Sequence, residues 1–328
     1  MARPLIHIVS PASARENNGN WQTASRWRQH LARAYRVTIG PGWQSGDATP
    51  DLLIALHARR SAAPLAAFRA AHPERPALLV LTGTDLYRDI HEDAAARASL
   101  DRADALVVLQ PRGLDELDAG LRAKTRVIFQ SAPRLRPARP GATFDVASIG
   151  HLRAEKDPLT VMRAAGLLTA PPVRVLHVGG ALDPVLAAAA RATQAATPRY
   201  RWLGALPHLR TRRVLRRCRL LVLASTMEGG ANAIIEAVTC GVPVLASDIP
   251  GNRGMLGEDY AGYFPVGDAA RLAALIDRAA LDAHFLHRLA RQCAARARLF
   301  APAAERAHLL DLVDNLLFRP TQDDKSTV

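Results

Sequence analysis

The chain has 328 residues, 49% of them hydrophobic, and a formal charge of +13 from 43 Lys and Arg against 30 Asp and Glu. That length and apolar content provide for two cores, and the charge favours anionic ligands or surfaces without specifying a fold. Three cysteines (Cys218, Cys240, Cys293) stand far apart with no paired metal spacing, no apolar run approaches a membrane span, and Met1-Ala2-Arg3-Pro4 leads straight into a short strand, so a reduced, cytoplasmic chain without membrane insertion is expected.

In the first half, short apolar runs alternate with helical periodicity. Strands are expected at Leu5–Val9, Tyr35–Ile39, Leu52–Leu56, Ala77–Leu81, Ala105–Leu109 and Val127–Phe129, and helices at Trp21–Ala34, Leu65–Ala71, Ala94–Arg102 and Leu114–Leu121. Such alternation indicates a parallel, doubly wound sheet, and no Gly-x-Gly-x-x-Gly fingerprint follows the first strand to suggest a dinucleotide. In Glu16-Asn17-Asn18-Gly19-Asn20, Gly19 permits positive φ or close backbone approach and the helix start can bind an anion. An ordinary N-cap by Asn18 or Asn20 explains the same residues. Thr82-Gly83-Thr84-Asp85 likewise follows a strand's carboxyl end, as does His57.

Ala132-Pro133-Arg134-Leu135-Arg136-Pro137-Ala138-Arg139-Pro140-Gly141 is the clearest change of composition and reads as a semi-rigid linker. The expected organisation is a first domain over 1–132, a linker over 133–141, a second domain over 142–300, a terminal helix over 301–318 that returns to the first domain, and a frayed tail over 319–328. The second half restarts with a strand at Phe144–Ile149, followed by Gly150-His151-Leu152-Arg153-Ala154-Glu155-Lys156-Asp157-Pro158. Lysine is scarce, found only at 124, 156 and 325, so Lys156 stands out beside Arg153. The pair suits a phosphate clamp, and equally a solvated charged loop. Asp157 and Pro158 suit a helix cap and first turn.

Strands follow at Val173–Val178 and Tyr200–Leu203, the latter ending at Gly204. Leu206–Arg217 carries Arg210, Arg212, Arg213, Arg216 and Arg217. This is the best sequence argument for nucleic-acid binding, but Leu209, Val214 and Leu215 give it a partial apolar stripe, and no aromatics interleave to stack bases. A surface helix with a solvated basic face is the expectation, with no nucleic-acid partner.

The stretch from Ala224 to Ser247 reads strand end, Gly-rich loop, helix over about 231–240, Gly stop and a second strand. It holds Glu228 and Glu236. With Glu228 at the helix entrance, the two acids would lie roughly 12 Å apart along the axis and about 80° apart around it, bordering one groove. That arrangement could hold a long, hydroxyl-rich, phosphate-bearing ligand; a capping glutamate plus an unrelated acid is the alternative. Ile249-Pro250-Gly251-Asn252-Arg253-Gly254 reads as a loop, Tyr263-Phe264 as a short edge strand, and 268–280, 283–300 and 303–318 as helices.

Gly150-x-x-Arg153-x-x-Lys156, the Leu203-Gly204 turn, Glu228-x7-Glu236-Ala237 and Gly241-x-Pro243-Val244 resemble, in order and spacing, the family-four glycosyltransferases. The match covers most of 144–255. The resemblance implies two facing Rossmann-like domains (GT-B) with a central cleft, a UDP-sugar donor as substrate, no cofactor and no metal. Arg153 and Lys156 would face the donor diphosphate, Glu236 the ribose hydroxyls, and Glu228 with Gly229 and Gly230 the transferred sugar. Glu228, Arg153 and Lys156 are the implied catalytic set. Gly204 would lie against the base, Asn232 would belong to the donor site, and Gly19 would close over the phosphates. The first half departs from the commonest pattern: Asn17-Asn18-Gly19-Asn20-Trp21 replaces a glycine pair, and Thr82-Gly83-Thr84-Asp85 stands where many members show histidine. With Ile8-Val9-Ser10-Pro11-Ala12 and Leu86-Tyr87, these segments are similar to the selenosugar synthases of selenoneine biosynthesis. That narrower resemblance implies selenophosphate as acceptor, with Asn18, Asn20, Thr84 and Asp85 on the acceptor side and a product with a carbon–selenium bond. Arg15, Arg59, Arg60 and Arg88 would be consistent with a dianionic nucleophile, and equally with an Arg-rich surface. A conventional acceptor (saccharide, lipid or small molecule) and a basic nucleic-acid-binding protein are the alternatives.

Overall fold

The computed structural model describes residues 3–16, 18–136, 138–139 and 141–318. Asn17, two linker prolines (Pro137 and Pro140) and the tail from Arg319 lie outside the described residues. The chain forms two compact units, one from the residues through Gln130 together with those from Ala303 onward, the other from Ser131–Pro302.

The first unit contains strands β1 (Leu5–Val9), β2 (Arg36–Gly40), β3 (Leu52–Leu56), β4 (Ala77–Leu81), β5 (Ala105–Val108) and β6 (Thr125–Val127). They form one parallel sheet in the order β2-β1-β3-β4-β5-β6. Both faces of its central strands are buried, which is why they read as unbroken apolar runs. Along β3, Leu52, Ile54 and Leu56 join one core with Ile6, Ile8, Trp27, Leu31 and Val107, while Leu53 and Ala55 join another with Leu65, Phe68, Leu79 and Leu106.

Helix Gly19–Leu31 starts before the expected Trp21 and ends before Ala34, so its inward face is Thr23, Ala24, Trp27 and Leu31, and Ala34 is exposed. Helix Pro302–Phe318 adds Leu309, Leu312 and Val313 to the first core. Its Glu305, 1% exposed, accepts from Arg26 Nε at 2.9 Å and Trp27 Nε1 at 2.8 Å. A carboxylate buried at this depth is tolerated because charged and neutral donors meet both oxygens.

The second unit contains β7 (Phe144–Ile149), β8 (Val173–Val178), β9 (Tyr200–Trp202), β10 (Leu220–Leu223), β11 (Val244–Ser247) and β12 (Tyr263–Phe264). Its sheet is also parallel, in the order β12-β11-β10-β7-β8-β9. Within the expected linker, Leu135 N–H donates to Thr239 O at 3.3 Å and Ala138 N–H to Arg216 O at 3.1 Å. Two expectations change in this unit. The Gly- and Pro-rich segment after β11 is a helix, Pro250–Leu256, with Pro250 in its first turn and Asn252 Nδ2 bonded to Ser247 O at 2.9 Å. Its Gly251 packs backbone against backbone, since a Cβ there would lie 1.9 Å from Glu228 O. In helix His208–Leu215 the buried stripe is Thr211, Arg212 and Leu215, while Leu209 is 58% exposed. Arg212 is drawn inward because Nη2 donates to Pro133 O at 2.7 Å beneath the 133–141 segment. The basic face is therefore only partly solvated.

Glu305→Ala should destabilise the first unit by about 3 kcal/mol, because it leaves the buried Trp27 N–H without its acceptor and removes the Arg26 ion pair. Urea unfolding followed by Trp fluorescence checks this; an unchanged midpoint would mean the contact is dispensable.

Candidate active site

In a doubly wound sheet the ligand crevice lies where successive strands are laid down in opposite directions. In the second unit β7 is followed by β8 and β9 on one side, and β10 and β11 then add on the other. The switch point is therefore between β7 and β10, and the loops leaving these strands carry Arg153, Lys156, Glu228, Gly229 and Gly230.

The β7 loop turns through Ala154–Lys156 and reaches Asp157 in a left-handed conformation (φ 40°). Asp157 caps helix Pro158–Leu167, accepting from Thr160 N at 3.3 Å and Thr160 Oγ1 at 2.6 Å. Lys156 is thereby aimed at the β10 loop, where Nζ pairs with Glu228 Oε1. Ser225 Oγ donates to the same oxygen at 2.6 Å, and Thr226 N–H donates to Glu155 O at 3.0 Å. Two loops far apart in sequence are thus one structure. Among the described residues Arg153 Nε is buried without a hydrogen-bond partner, and its nearest acid oxygen, on Glu155, is 3.9 Å away.

Helix Asn232–Thr239 begins after Ala231, a cap position with no side-chain acceptor to offer its first N–H groups. A helix start of this kind favours negative charge. Glu228 stands four residues before Asn232, within the loop, so the expected axial spacing of the two acids along one helix does not apply. Glu236 lies inside the helix, 8% exposed, and His208 Nε2 meets its Oε1 at 2.6 Å.

The β8 and β9 loops complete the floor. A Cβ on Gly179 would lie 1.8 Å from Gly150 O, so only glycine permits this approach. Gly179 N–H donates to Gly204 O at 2.9 Å, and Gly204 turns with φ +67°. Gly180 N–H donates to His151 Nδ1 at 3.0 Å. The His151 proton therefore resides on Nε2. Burial, then the Arg153 and Lys156 charges, push its pKa down, keeping the ring neutral at pH 7. Beneath the loop His177 is fully buried between Tyr200 Oη, 2.9 Å from Nδ1, and the Gly150 backbone, and burial pushes its pKa down to about 4.

In the first unit the switch point falls between β1 and β3. Asn18 Oδ1 accepts from Asn20 N at 3.0 Å and Trp21 N at 3.3 Å, so Asn18 is the cap of the following helix and Gly19 its first residue. Gly19 is not among the glycines with positive φ. Thr84 Oγ1 lies 3.0 Å from His57 Nε2, with His57 held at φ 75°.

Asp85 clamps the loop it stands in. It is 0% exposed, and its oxygens accept from Ala58 N at 2.9 Å, Thr82 N at 2.9 Å and Gly83 N at 2.8 Å. Arg59 Nε and Arg88 Nε converge on Asp89 at 2.8 and 3.1 Å. Burial alone would raise the Asp89 pKa, but these two guanidinium bonds hold it below the ordinary carboxylate value. With Glu92 and Asp93 these side chains line a hollow of about 280 Å³.

His57, His151 and His208 were not singled out as site residues in the sequence. The available signal is positional: each stands within a few residues of a strand's carboxyl end or at a helix start.

Residues 134–299, half of the chain, match the model of the family described as glycosyl transferases group 1. The chain belongs to that family and is a glycosyltransferase. It is 26% identical over 288 residues to glycosyltransferase 1 domain-containing protein 1 of Xenopus tropicalis, covering 78% of this chain and 83% of that protein. Among solved structures it is similar to sucrose-phosphate synthase from Thermosynechococcus elongatus, with 18% identity, 96% of this chain and 99% of that chain covered, and a TM-score of 0.78. It is also similar to Anabaena HepE in complex with UDP and glucose, with 16% identity, 95% and 100% coverage, and a TM-score of 0.75. Its two six-stranded parallel sheets with flanking helices are those of the GT-B fold. No helix among the described residues is long and apolar enough to cross a membrane.

Because His177 has a folded pKa below its unfolded value of about 6.5, the unfolded chain takes up the proton first. Its contribution is fully present above pH 6.5 and is lost as pH falls towards 4, by about 3 kcal/mol at most. Urea unfolding between pH 7 and 4.5 should show this fall, and His177→Gln should flatten it. An equally steep fall in the variant would assign it elsewhere.

Proposed function

We propose that the β7/β10 switch point binds the donor, a UDP-sugar, and that the enzyme transfers its sugar to selenophosphate. The observation carrying the donor reading is the Lys156–Glu228 pair, which joins the two loops beside the start of helix Asn232–Thr239. Support for a UDP donor comes from the family and from HepE, whose structures hold UDP with glucose and UDP-glucose.

In this reading Arg153 and Lys156 face the diphosphate. The buried, unpartnered Arg153 Nε is a donor awaiting an acceptor. As the bond from the anomeric carbon to the diphosphate oxygen breaks, negative charge grows on the leaving group, and fixed cations with helix-start N–H groups stabilise it where it develops. These groups supply the charge that a metal would otherwise provide. Glu228 and the Gly229–Gly230 backbone lie towards the transferred sugar, Gly204 lies against the base, and Asn232 and Glu236 serve the remainder of the donor. Lys156 holds Glu228 in place until the diphosphate competes for the ammonium.

Selenophosphate as acceptor rests on the similarity of the Asn18–Trp21 and Thr82–Tyr87 segments to the selenosugar synthases. Selenium attacks the anomeric carbon, UDP departs with the bonding pair, and water then cleaves the phosphorus–selenium bond to release phosphate and the selenosugar. Such a nucleophile needs no general base, which accords with an Asp85 fully engaged by backbone N–H groups. One observation favours the second reading, a conventional saccharide, lipid or small-molecule acceptor. Arg59 and Arg88 are already paired to Asp89, so neither stands as an uncommitted cation for a dianion.

Mass spectrometry of reactions with UDP-GlcNAc or UDP-glucose and selenophosphate should show a selenium-containing sugar. UDP release without that product would transfer the assignment to a conventional acceptor. Lys156→Ala should lower kcat/KM for the donor about 10²–10³-fold if its charge serves the transition state. Unchanged turnover in a folded variant would remove Lys156 from the chemistry.

A further inference from the structure

Glu236 is held by a partner that the family motif does not include. Helix His208–Leu215 lies against helix Asn232–Thr239 through two pairs with matching spacing. His208 and Arg212 are four residues apart on one helix, and Glu236 and Cys240 are four apart on the other, Cys240 closing its end. Residues so spaced share a helix face. His208 Nε2 meets Glu236 Oε1 at 2.6 Å, while the buried Arg212 reaches Thr239 Oγ1 at 3.4 Å and Cys240 Sγ at 3.6 Å. Arg212 also bonds Pro133 O at 2.7 Å, so this end of the contact is anchored in the interior.

His208 itself is 44% exposed in its side chain, whereas the Glu236 side chain is only 10% exposed. The histidine therefore approaches the carboxylate from the solvent side and takes one oxygen. Among the described residues nothing donates to Glu236 Oε2. A glutamate turning freely about three side-chain bonds would lose that freedom on binding. Here one oxygen is already fixed, and the other is left for hydroxyl donors.

We infer that His208 is a positioning residue for donor recognition: it fixes Glu236 so that the carboxylate accepts from the vicinal hydroxyls of the donor's ribose. This rests on the reading that Glu236 faces the ribose. His208 follows the Gly204 turn by four residues, so the turn that would meet the base and the carboxylate that would meet the ribose are set by one short segment. Base and sugar recognition are thereby coupled.

The test is calorimetric titration of UDP and of 2′,3′-dideoxy-UDP into wild type, His208→Phe, His208→Gln and Glu236→Ala. Wild type should prefer UDP, and Glu236→Ala should abolish most of that preference. His208→Phe keeps the ring but loses the donor. It should weaken UDP about tenfold while leaving dideoxy-UDP within about twofold, because the lost bond served only the hydroxyls. His208→Gln, with an amide N–H, should restore most of the preference. Dideoxy-UDP affinity doubles as the control for folding of each variant. If His208→Phe weakens both ligands equally, or weakens neither, the positioning role is overturned. Failure of the donor reading looks different: wild type itself would bind no UDP, or would bind both nucleotides alike, and that result would overturn the inference as well.

Discussion

The arrangement of the second unit depends on the bond between Lys156 and Glu228. The lysine leaves β7, the glutamate follows β10, and 72 residues separate them in sequence. Close backbone approaches at two glycines flank the pair. Gly179 lies against Gly150 O and Gly251 against Glu228 O, each where a Cβ would be under 2 Å from the oxygen. Removing either partner of the pair would leave the other partly desolvated and uncompensated, which costs more than the pair contributes. A site of this kind holds charge in readiness. The ammonium sits beside a carboxylate, and the neighbouring Arg153 Nε is buried without a hydrogen-bond partner among the described residues.

Below this pair the histidines are held in one protonation state each. His177 is neutral because it is sealed beneath the loop, and His151 because it is half-buried beside Arg153 and Lys156. Their ring nitrogens are then fixed hydrogen-bonding groups, one tied to the Gly150 backbone and the other to Gly180 N–H. The first unit uses an acid for the same purpose: Asp85 gathers N–H groups from the β3 and β4 loops, and Asp89 gathers arginines.

The apolar runs of β3, β4, β5 and β10 were legible in the sequence because fully buried parallel strands have no polar face to interrupt them. Arg153, Lys156, Glu228 and Glu236 were legible as a spaced pattern, though which of them touch was not. Helix Pro250–Leu256 was hidden by Gly251 and Gly254, residues that usually end helices, but Gly251 allows the helix to pack on the β10 loop. Arg212 looked like part of a solvated basic face because its acceptor, Pro133 O, comes from a segment 79 residues earlier. Asp85 looked available because backbone N–H groups leave no mark in a sequence. His208 gives no local signal for a related reason: its partner is 28 residues away on another helix. Local pattern reveals which residues have chemistry to offer, and tertiary contacts decide which of them have already spent it.

The central claim is that the β7/β10 crevice is a nucleotide-diphosphate site arranged around Lys156. A crystal structure of the enzyme soaked with UDP tests it most directly. The diphosphate should lie within hydrogen-bond distance of Lys156 Nζ and the Arg153 guanidinium, with the ribose hydroxyls on Glu236. UDP bound away from these residues, with the Lys156–Glu228 pair undisturbed, would contradict it.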